Sequence, residues 1–221
     1  KYGVRVLHNA EAADLADTLV LVVKPQDMGA LRAEIHDHVA EGNLVVSLAA
    51  GITTSYLESR LPQGRPVVRV MPNTPALVDQ GMAAVSAGAH CDTAHLAEAQ
   101  ALLAATGRVV EVPEKLQDAV TAISGSGPAY IFYVVEAMIE AGVVLGMPRT
   151  TATELVVQTL VGAATMIKET GQHPTVLREQ VTSPGGTTAA ALRTLDDHKV
   201  RAAFITAMEA AARRSAELAG D

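Results

Sequence analysis

The sequence predicts an α/β region built on a doubly wound parallel sheet, followed by an all-α region. In the first half, short aliphatic runs alternate with helical segments, a succession typical of such sheets. From Glu114 onward no strand pattern occurs, and helical segments follow one another. The chain has 221 residues, of which 49% are hydrophobic, enough for a sizeable core. We therefore predict one domain over residues 1–113 and a second, helical domain over residues 114–221.

Strands and helices of the first domain are predicted from aliphatic runs and from helical spacing of apolar residues. The predicted strands are Val4–Leu7, Thr18–Val23, Leu44–Leu48, Pro66–Met71, Gly81–Ala87 and Arg108–Val112. The predicted helices are Asn9–Ala16, Gln26–Glu41, Thr53–Arg60 and Ala94–Ala105. The unbroken aliphatic run Thr18–Val23 is typical of a strand that is buried on both faces.

The ends of the predicted strands indicate where a ligand would bind. In open α/β sheets, ligands bind beyond the carboxyl ends of the strands, here His8–Asn9, Lys24–Pro25, Ala49–Gly51 and Pro72–Thr74. Each segment alone is also compatible with an ordinary connection, but four on one edge predict a dinucleotide crevice of the Rossmann type. The glycine-rich GxGxxG loop that opens such folds is absent. The chain is therefore expected to enter the fold after its first βαβ unit, as an N-terminally incomplete Rossmann-type domain.

The second domain is predicted to contain only helices, and one of them is apolar around its whole circumference. The predicted helices are Leu116–Ile123, Ala129–Leu145, Arg149–Thr170, Pro174–Gln180, Thr188–Asp196 and Lys199–Leu218, with a break at Ser124–Pro128. A helix that is hydrophobic on every face must be buried, yet a subdomain of about 100 residues has little interior. We infer that Ala129–Leu145 lies in a dimer interface, with an internally packed bundle as the alternative.

The stretch Val181–Thr188 reads as a glycine-rich turn that opens a helix. Pro184 fixes one φ angle, while Gly185 and Gly186 permit positive φ and a close approach of ligand to backbone. Unpaired N–H groups at a helix N-terminus bind anions. The turn contains no Lys or Arg, which favours a small carboxylate over a polyphosphate. Three hydroxyls, of Ser183, Thr187 and Thr188, can donate or accept hydrogen bonds. A plain helix cap is the structural alternative.

Composition restricts the classes of partner. The net charge is −7 and no basic cluster occurs, which argues against a nucleic-acid partner. Cys91 is the only cysteine, so no intrachain disulfide can form and a cytoplasmic location is the simplest expectation. No His, Asp or Glu cluster shows metal-ligand spacing, and no metal is predicted. The apolar run Ile131–Leu145 contains Glu136 and Glu140 and is predicted to fall short of a membrane span.

Five residue runs, in this order and spacing, resemble the pyrroline-5-carboxylate reductase family. They are Val23–Pro25, Val70–Pro75, Ser124–Tyr130, Gly171–Pro174 and Val181–Thr188. The resemblance extends from about Gly3 to the C-terminus. It implies an N-terminal dinucleotide domain and a C-terminal helical domain that interlocks with its copy in a dimer. It also implies that dimers assemble further, into rings of five, which makes a decamer.

The resemblance also implies the reaction and its residues. Hydride would pass from NADPH (or NADH) to the C=N carbon of 1-pyrroline-5-carboxylate and give L-proline, the last step of proline biosynthesis. The implied cofactor contacts are Asn9, Val22, Val23, Lys24, Pro25, Met71, Pro72 and Asn73. The implied substrate contacts are Ser183, Gly186, Thr187 and Thr188. Thr188 is predicted to be the catalytic hydroxyl, which orients the imine nitrogen and relays a proton with water. Gln180 lies where some family members place an Asn beside the cofactor.

Two other functions are compatible with part of the pattern. A β-hydroxyacid dehydrogenase relative would also join a dinucleotide domain to helices. Its chemistry needs a base, usually a Lys in the first long helix of the second domain, and Ala129–Leu145 has no Lys, Arg or His. A non-catalytic dimeric ligand-binding protein that lacks the cofactor loop stays open at this point.

Overall fold

The structure is a computed structural model that describes residues 3–220, with side chains described for residues 3–218. The outermost ends of the two predicted domains, residues 1, 2 and 221, lie outside the described residues. The chain forms two compact units. One comprises the chain up to Pro128 together with the C-terminal segment from Met208, and the other is Ala129–Ala207.

The first unit is built on a five-stranded sheet in the order β1-β2-β3-β4-β5. Its strands are β1 (Thr18–Leu21), β2 (Leu44–Ser47), β3 (Val67–Met71), β4 (Gly81–Ala87) and β5 (Gly107–Glu111). Its helices are α1 (Asn9–Leu15), α2 (Met28–Ile35), α3 (Thr54–Glu58) and α4 (Thr93–Ala104). Short 3₁₀ turns occupy Pro25–Asp27, His36–His38 and Thr74–Val78. The predicted α/β class is confirmed, and from Asn9 onward the helices and strands follow in the predicted order.

One strand pairing differs from the fully parallel sheet that the sequence predicts. β1 pairs with β2, β2 with β3 and β4 with β5 in parallel, but β3 and β4 are antiparallel, with Arg69 opposite Ser86. The connection from β3 to β4 spans only residues 72–80. A parallel crossover needs a dozen or more residues, so this short link can only return the chain antiparallel.

Two hydrophobic clusters lie on the two faces of the sheet. Along β2 and β3, Val45 and Val67 belong to one cluster with Met28 of α2 and Leu57 of α3. Alternate positions of the same strands belong to a second cluster: Leu44, Val46, Val68 and Val70, with Val85 of β4 and Ala99 and Leu103 of α4. Side chains of a strand point alternately to its two faces, so the aliphatic runs are buried on both sides.

Two predictions at the edge of the sheet are wrong. Residues 4–7 form no strand, and Val4 and Val6 are 76% and 93% exposed. A strand needs a partner ladder, and within the described residues β1 pairs only with β2. β1 is also not buried on both faces, since Leu19 and Leu21 are buried but Val20 is 42% exposed. At an edge strand, the packing of the unit covers one face only.

The helical region begins with a continuous helix where the sequence predicts a break. α5 (Gln117–Val120), a π-helical turn (Thr121–Gly125) and α6 (Gly127–Val144) follow one another, and Ser126 N donates to Thr121 O at 2.8 Å. Pro128 is tolerated because it lies in the first turn of α6, where a missing N–H costs little. Residues 121–125, just before it, form the wider π-helical turn that connects α5 to α6.

This helix extends well beyond the apolar run Ile131–Leu145, which the sequence analysis predicts to be too short to span a membrane. Over Glu114–Val144 it has 31 residues, and an 18-residue window has a mean hydropathy of 1.3. By length and composition alone it could cross a membrane, so the prediction that it falls short was wrong. A single helix of this kind is weak support for a membrane span, because helices buried in protein meet the same criterion.

The second unit consists of α6 from Ala129, α7 (Arg149–Thr170), α8 (Pro174–Gln180), α9 (Thr187–Asp197) and α10 (Val200–Gly220) up to Ala207. α6 and α7 approach closely, because a Cβ on Gly142 would lie 2.8 Å from the Cβ of the buried Ala152. Large apolar side chains nevertheless face outward, including Phe132 at 66% and Tyr133 at 74% exposure. An apolar helix surface of this extent is typical of a protein interface.

Candidate active site

The strand ends that the sequence singles out lie along one edge of the sheet. β1, β2 and β3 are adjacent and parallel, so the segments that follow them, Val22–Pro25, Ala49–Gly51 and Pro72–Asn73, lie beyond the same edge. Because β4 is antiparallel, its first residues, Gly81 and Met82, also lie there. The predicted ligand edge is thus assembled from three successive strand ends and the start of a fourth strand.

The fourth predicted segment is His8–Asn9. Asn9 and residues of β1 line the same cleft, which has a volume of about 450 Å³. The residues that line this cleft are Asn9, Ala12, Leu19, Val20, Leu21, Val22, Val23, Asp27, Ala30, Leu31, Glu34 and Ile35. Asn9 Nδ2 donates to Glu34 Oε2 at 2.7 Å, so the Asn9 amide is held by α2. Lys24 is exposed, and its carbonyl accepts from Asp27 N at 2.9 Å at the start of the following turn.

The segment Met71–Asn73 rests on the π-helical turn. Asn73 Oδ1 accepts from Met82 N at 2.8 Å, and Asn73 Nδ2 lies 3.3 Å from both Ser124 O and Ser124 Oγ. A Cβ on Gly125 would collide with the Met71 methyl group, so glycine at that position lets the methionine lie against the turn. Met71, Pro72 and Asn73 are all half-buried.

In the second unit, the predicted substrate loop is a type II turn. Ser183 O accepts from Gly186 N at 3.0 Å, with Pro184 second and Gly185 third at φ +67°. A positive φ at that position calls for glycine. Gly185 adopts the positive φ that glycine permits, whereas Gly186 has a φ of −78°. At Gly186 a Cβ would collide with the Ser183 hydroxyl, so glycine lets that hydroxyl lie against the backbone of the turn.

The turn leads into α9 and leaves backbone donors at its N-terminus. The first intrahelical bond runs from Ala190 N to Gly186 O at 3.2 Å, so the amides of residues 187–189 have no acceptor within the helix. No side chain caps α9, and its first turn has no acidic residue. Thr188 is half-buried, while Ser183 and Thr187 are exposed. Three amides and three hydroxyls, in a turn whose own residues include no Lys or Arg, make a site suited to one carboxylate.

Gln180, the loosely matched position, is engaged elsewhere in the second unit. Its Nε2 donates to Gln172 Oε1 at 3.1 Å. Across the described residues, no group of three or more His, Cys, Asp or Glu side chains is arranged to hold a metal ion.

Sequence reasoning missed a buried ionic network beside the sheet. Arg69 of β3 is 6% exposed and its Nη1 lies 3.3 Å from Glu114 Oε1. The same carboxylate accepts from Thr54 N at 2.8 Å and from Thr54 Oγ1 at 2.6 Å, at the N-terminus of α3. The available signal was Arg69 itself, because an arginine inside an aliphatic strand run must find a partner when it is buried.

A second missed polar group is Gln117, which is fully buried. Its Nε2 donates to Ser86 Oγ at 2.8 Å and to Ala84 O at 3.3 Å, and Ser86 Oγ donates to Val112 O at 2.7 Å. The side chain therefore ties α5 to β4. No local pattern marks Gln117, because its burial depends on where α5 packs.

Comparison with known proteins agrees with this geometry. Residues 114–218 match the sequence model described as pyrroline-5-carboxylate reductase dimerisation. Residues 1–51 match the model of the NADP oxidoreductase, coenzyme F420-dependent, family. A pyrroline-5-carboxylate reductase of Corynebacterium melassecola is 49% identical over 222 aligned positions, covering 99% of this chain and 82% of the relative.

Solved structures give the same assignment. The chain superimposes on pyrroline-5-carboxylate reductase of Coxiella burnetii with a TM-score of 0.91 at 41% identity, covering 96% of this chain and 80% of that one. The Plasmodium falciparum pyrroline carboxylate reductase, solved with NADP bound, gives a TM-score of 0.90 at 32% identity, covering 97% and 81%. Because relatives that are 41–49% identical cover 96–99% of it, this chain belongs to the pyrroline-5-carboxylate reductase family.

Proposed function

We propose that the protein reduces 1-pyrroline-5-carboxylate to L-proline with NADPH (or NADH) as hydride donor, the final step of proline biosynthesis. The observation that carries the proposal is the uncapped start of α9. The amides of residues 187–189 follow a type II turn that has no cationic side chain, and they have no acceptor within the helix. Such a site fits a small carboxylate better than a nucleotide phosphate. The family membership supports the same substrate.

The cofactor is assigned to the sheet edge of the first unit. The proposed contacts are Asn9, Val22, Val23, Lys24, Pro25, Met71, Pro72 and Asn73. The cleft beside β1 and the half-buried Met71–Asn73 segment support this assignment, as does the NADP bound to the relative from Plasmodium falciparum. When it is bound, the reduced nicotinamide supplies the hydride.

The substrate is assigned to the loop of the second unit. The amides of residues 187–189 and the hydroxyl of Ser183 hold the carboxylate, and the N-terminal end of the α9 dipole favours its charge. Gly186 leaves the backbone open to the ligand. Thr188 directs its hydroxyl to the ring nitrogen. An aliphatic hydroxyl is a weak acid, so Thr188 orients the protonated imine and relays a proton with water.

The test is NADPH-dependent reduction of pyrroline-5-carboxylate, followed by nicotinamide absorbance. Thr188→Ala should lower kcat about 10–100-fold, as expected when one transition-state hydrogen bond is lost. Thr188→Ser, the matched control, keeps the hydroxyl and should retain most activity. Equal kinetics for wild type and Thr188→Ala would remove this residue from the mechanism.

The two other functions make different predictions. A non-catalytic ligand-binding protein would bind proline or pyrroline-5-carboxylate but would not increase nicotinamide fluorescence in an NADPH titration. A β-hydroxyacid dehydrogenase would turn over hydroxyacids, but α6 has no Lys, Arg or His to act as base. NADPH binding without any imine reduction would overturn the proposed activity while leaving the cofactor assignment intact.

The proposal includes the arrangement of the chain. The match of residues 114–218 to a dimerisation domain assigns self-association to the helical region. It supports a boundary near residue 113, between a dinucleotide domain (1–113) and a helical dimerisation domain (114–221). We further propose that the apolar surface of α6 is covered in the dimer, that dimers form a decamer, and that the enzyme is cytoplasmic. Light scattering on the purified protein measures the assembly size.

A further inference from the structure

Asn73 uses both ends of its side-chain amide inside the first unit. Its Oδ1 accepts from the Met82 backbone N–H at 2.8 Å, at the start of β4. Its Nδ2 lies 3.3 Å from the Ser124 carbonyl oxygen, within the π-helical turn. A primary amide has one acceptor oxygen and two donor hydrogens, so these bonds occupy the oxygen and at least one hydrogen.

The bond to Ser124 has a specific cause in the sequence. In an α-helix, the N–H of residue 128 would donate to the carbonyl of residue 124, four positions earlier. Residue 128 is a proline and has no N–H to donate. Asn73 therefore supplies a donor to the carbonyl that Pro128 cannot reach.

A second contact joins the same two segments. The Met71 methyl group lies against Gly125, where a Cβ would collide with it. The end of β3 is thus attached to the π-helical turn at two points, one apolar and one through the Asn73 amide. Met71 makes the first of these contacts, and Pro72 lies between Met71 and Asn73. Met71 and Pro72 are residues to which we assign cofactor contacts.

We propose that Asn73 is a positioning residue whose amide, by joining β4 to the π-helical turn ahead of Pro128, holds Met71–Pro72 in place for the cofactor. This inference rests on the proposed function and refines it. For Asn73 it replaces the direct cofactor contact proposed above with an action through the backbone of its neighbours. The proline that interrupts the helical bonding and the asparagine that compensates for it then form one functional pair.

The experiment combines two Asn73 variants with a second-site change. Asn73→Asp keeps the acceptor for Met82 and loses the donor to Ser124, while Asn73→Ala loses both without adding charge. Pro128→Ala returns a backbone N–H that can donate to Ser124 O. NADPH affinity is measured by nicotinamide fluorescence. Asn73→Asp should weaken this affinity about tenfold, the equivalent of one lost hydrogen bond, and Asn73→Ala should weaken it at least as much.

Rescue distinguishes positioning from direct contact. Pro128→Ala alone should leave NADPH affinity within about twofold. In the Asn73→Asp background, which keeps the bond to Met82, it should restore most of the loss. In the Asn73→Ala background it should restore only part of the loss, because the Met82 N–H still lacks its acceptor. The KM for pyrroline-5-carboxylate should change much less than the NADPH affinity. Weakened binding that Pro128→Ala does not restore would mean that Asn73 touches the cofactor, and unchanged binding would mean that it has no role. Either result overturns the inference.

Amide hydrogen exchange of the cofactor-free protein separates this inference from the proposed function. Asn73→Asp should speed exchange across residues 121–127, and Pro128→Ala should reverse the effect. Unchanged exchange would refute the bridge itself, whatever the activity. If wild type shows no NADPH binding, the proposed function fails and the cofactor part of the inference fails with it. The exchange result still decides whether Asn73 holds the turn.

Discussion

Removing the carboxylate of Glu114 should destabilise the first unit more than any surface ion-pair substitution. Glu114 receives three contacts, from Arg69 Nη1 at 3.3 Å, Thr54 N at 2.8 Å and Thr54 Oγ1 at 2.6 Å. The Arg69 side chain is 7% exposed and that of Glu114 is 27% exposed. Glu114→Ala leaves a buried guanidinium without its anion and the start of α3 without an acceptor.

The magnitude follows from the burial of the two partners. Removing one member of a buried ion pair costs about 3–5 kcal/mol, because the remaining charge stays desolvated. Water reaches the partly exposed Glu114 position, so we expect the low end, about 3 kcal/mol. For a chain of this size, that corresponds to a fall in Tm of about 6–12 °C. Glu114→Gln keeps an acceptor oxygen of the same reach and should cost about half as much.

The assay is thermal unfolding followed by circular dichroism at one fixed protein concentration, because self-association shifts Tm. Arg69→Met combined with Glu114→Ala removes both charges and should be more stable than Glu114→Ala alone. Glu217→Ala, which breaks the exposed pair with Arg214, is the control and should cost less than about 1 kcal/mol. A Glu114→Ala protein as stable as this control, or strictly additive single effects, would refute the reasoning.

Three further predictions concern backbone geometry and titration. Gly185→Ala, at φ +67°, should lower the unfolding free energy by about 1–2 kcal/mol. Gly186→Ala, at φ −78°, avoids that backbone strain, but its Cβ forces the Ser183 hydroxyl to rotate away, so it should cost about 1 kcal/mol or less and raise the KM for pyrroline-5-carboxylate. Denaturant unfolding and steady-state kinetics separate the two variants. The backbone hydrogen bond from His95 holds the pKa of the Asp92 carboxyl below its ordinary value, so its stabilisation is present at neutral pH and is lost as pH falls through the lowered pKa. The Tm difference between wild type and Asp92→Ala should therefore narrow below about pH 4, and a constant difference would contradict this. Burial raises the pKa of the Cys91 thiol, so alkylation by iodoacetamide at pH 8 should be slower than that of a free thiol, and equal rates would show that the thiol is not shielded.

Local pattern was sufficient for most elements and for the substrate loop. The alternation of aliphatic runs and helical spacing located all five observed strands, and Arg149–Thr170 and Pro174–Gln180 were predicted to the residue. Pro184 and Gly185 specify a type II turn by their own φ preferences, which are properties of the residues and not of their surroundings. The family resemblance of short runs added the reaction that these elements serve.

The tertiary structure alone decided which face of each strand is covered and which polar groups meet. Val20 is exposed because it lies on an edge strand, and β4 runs antiparallel because the link before it is short. Arg69, Glu114 and Thr54 come from three separate elements, as do Asn73, Met82 and Ser124. Propensity and periodicity act over a few neighbouring residues, so the sequence determined the elements and the turn. Pairings between residues far apart in the chain depend on how those elements pack, and only the folded structure determined them.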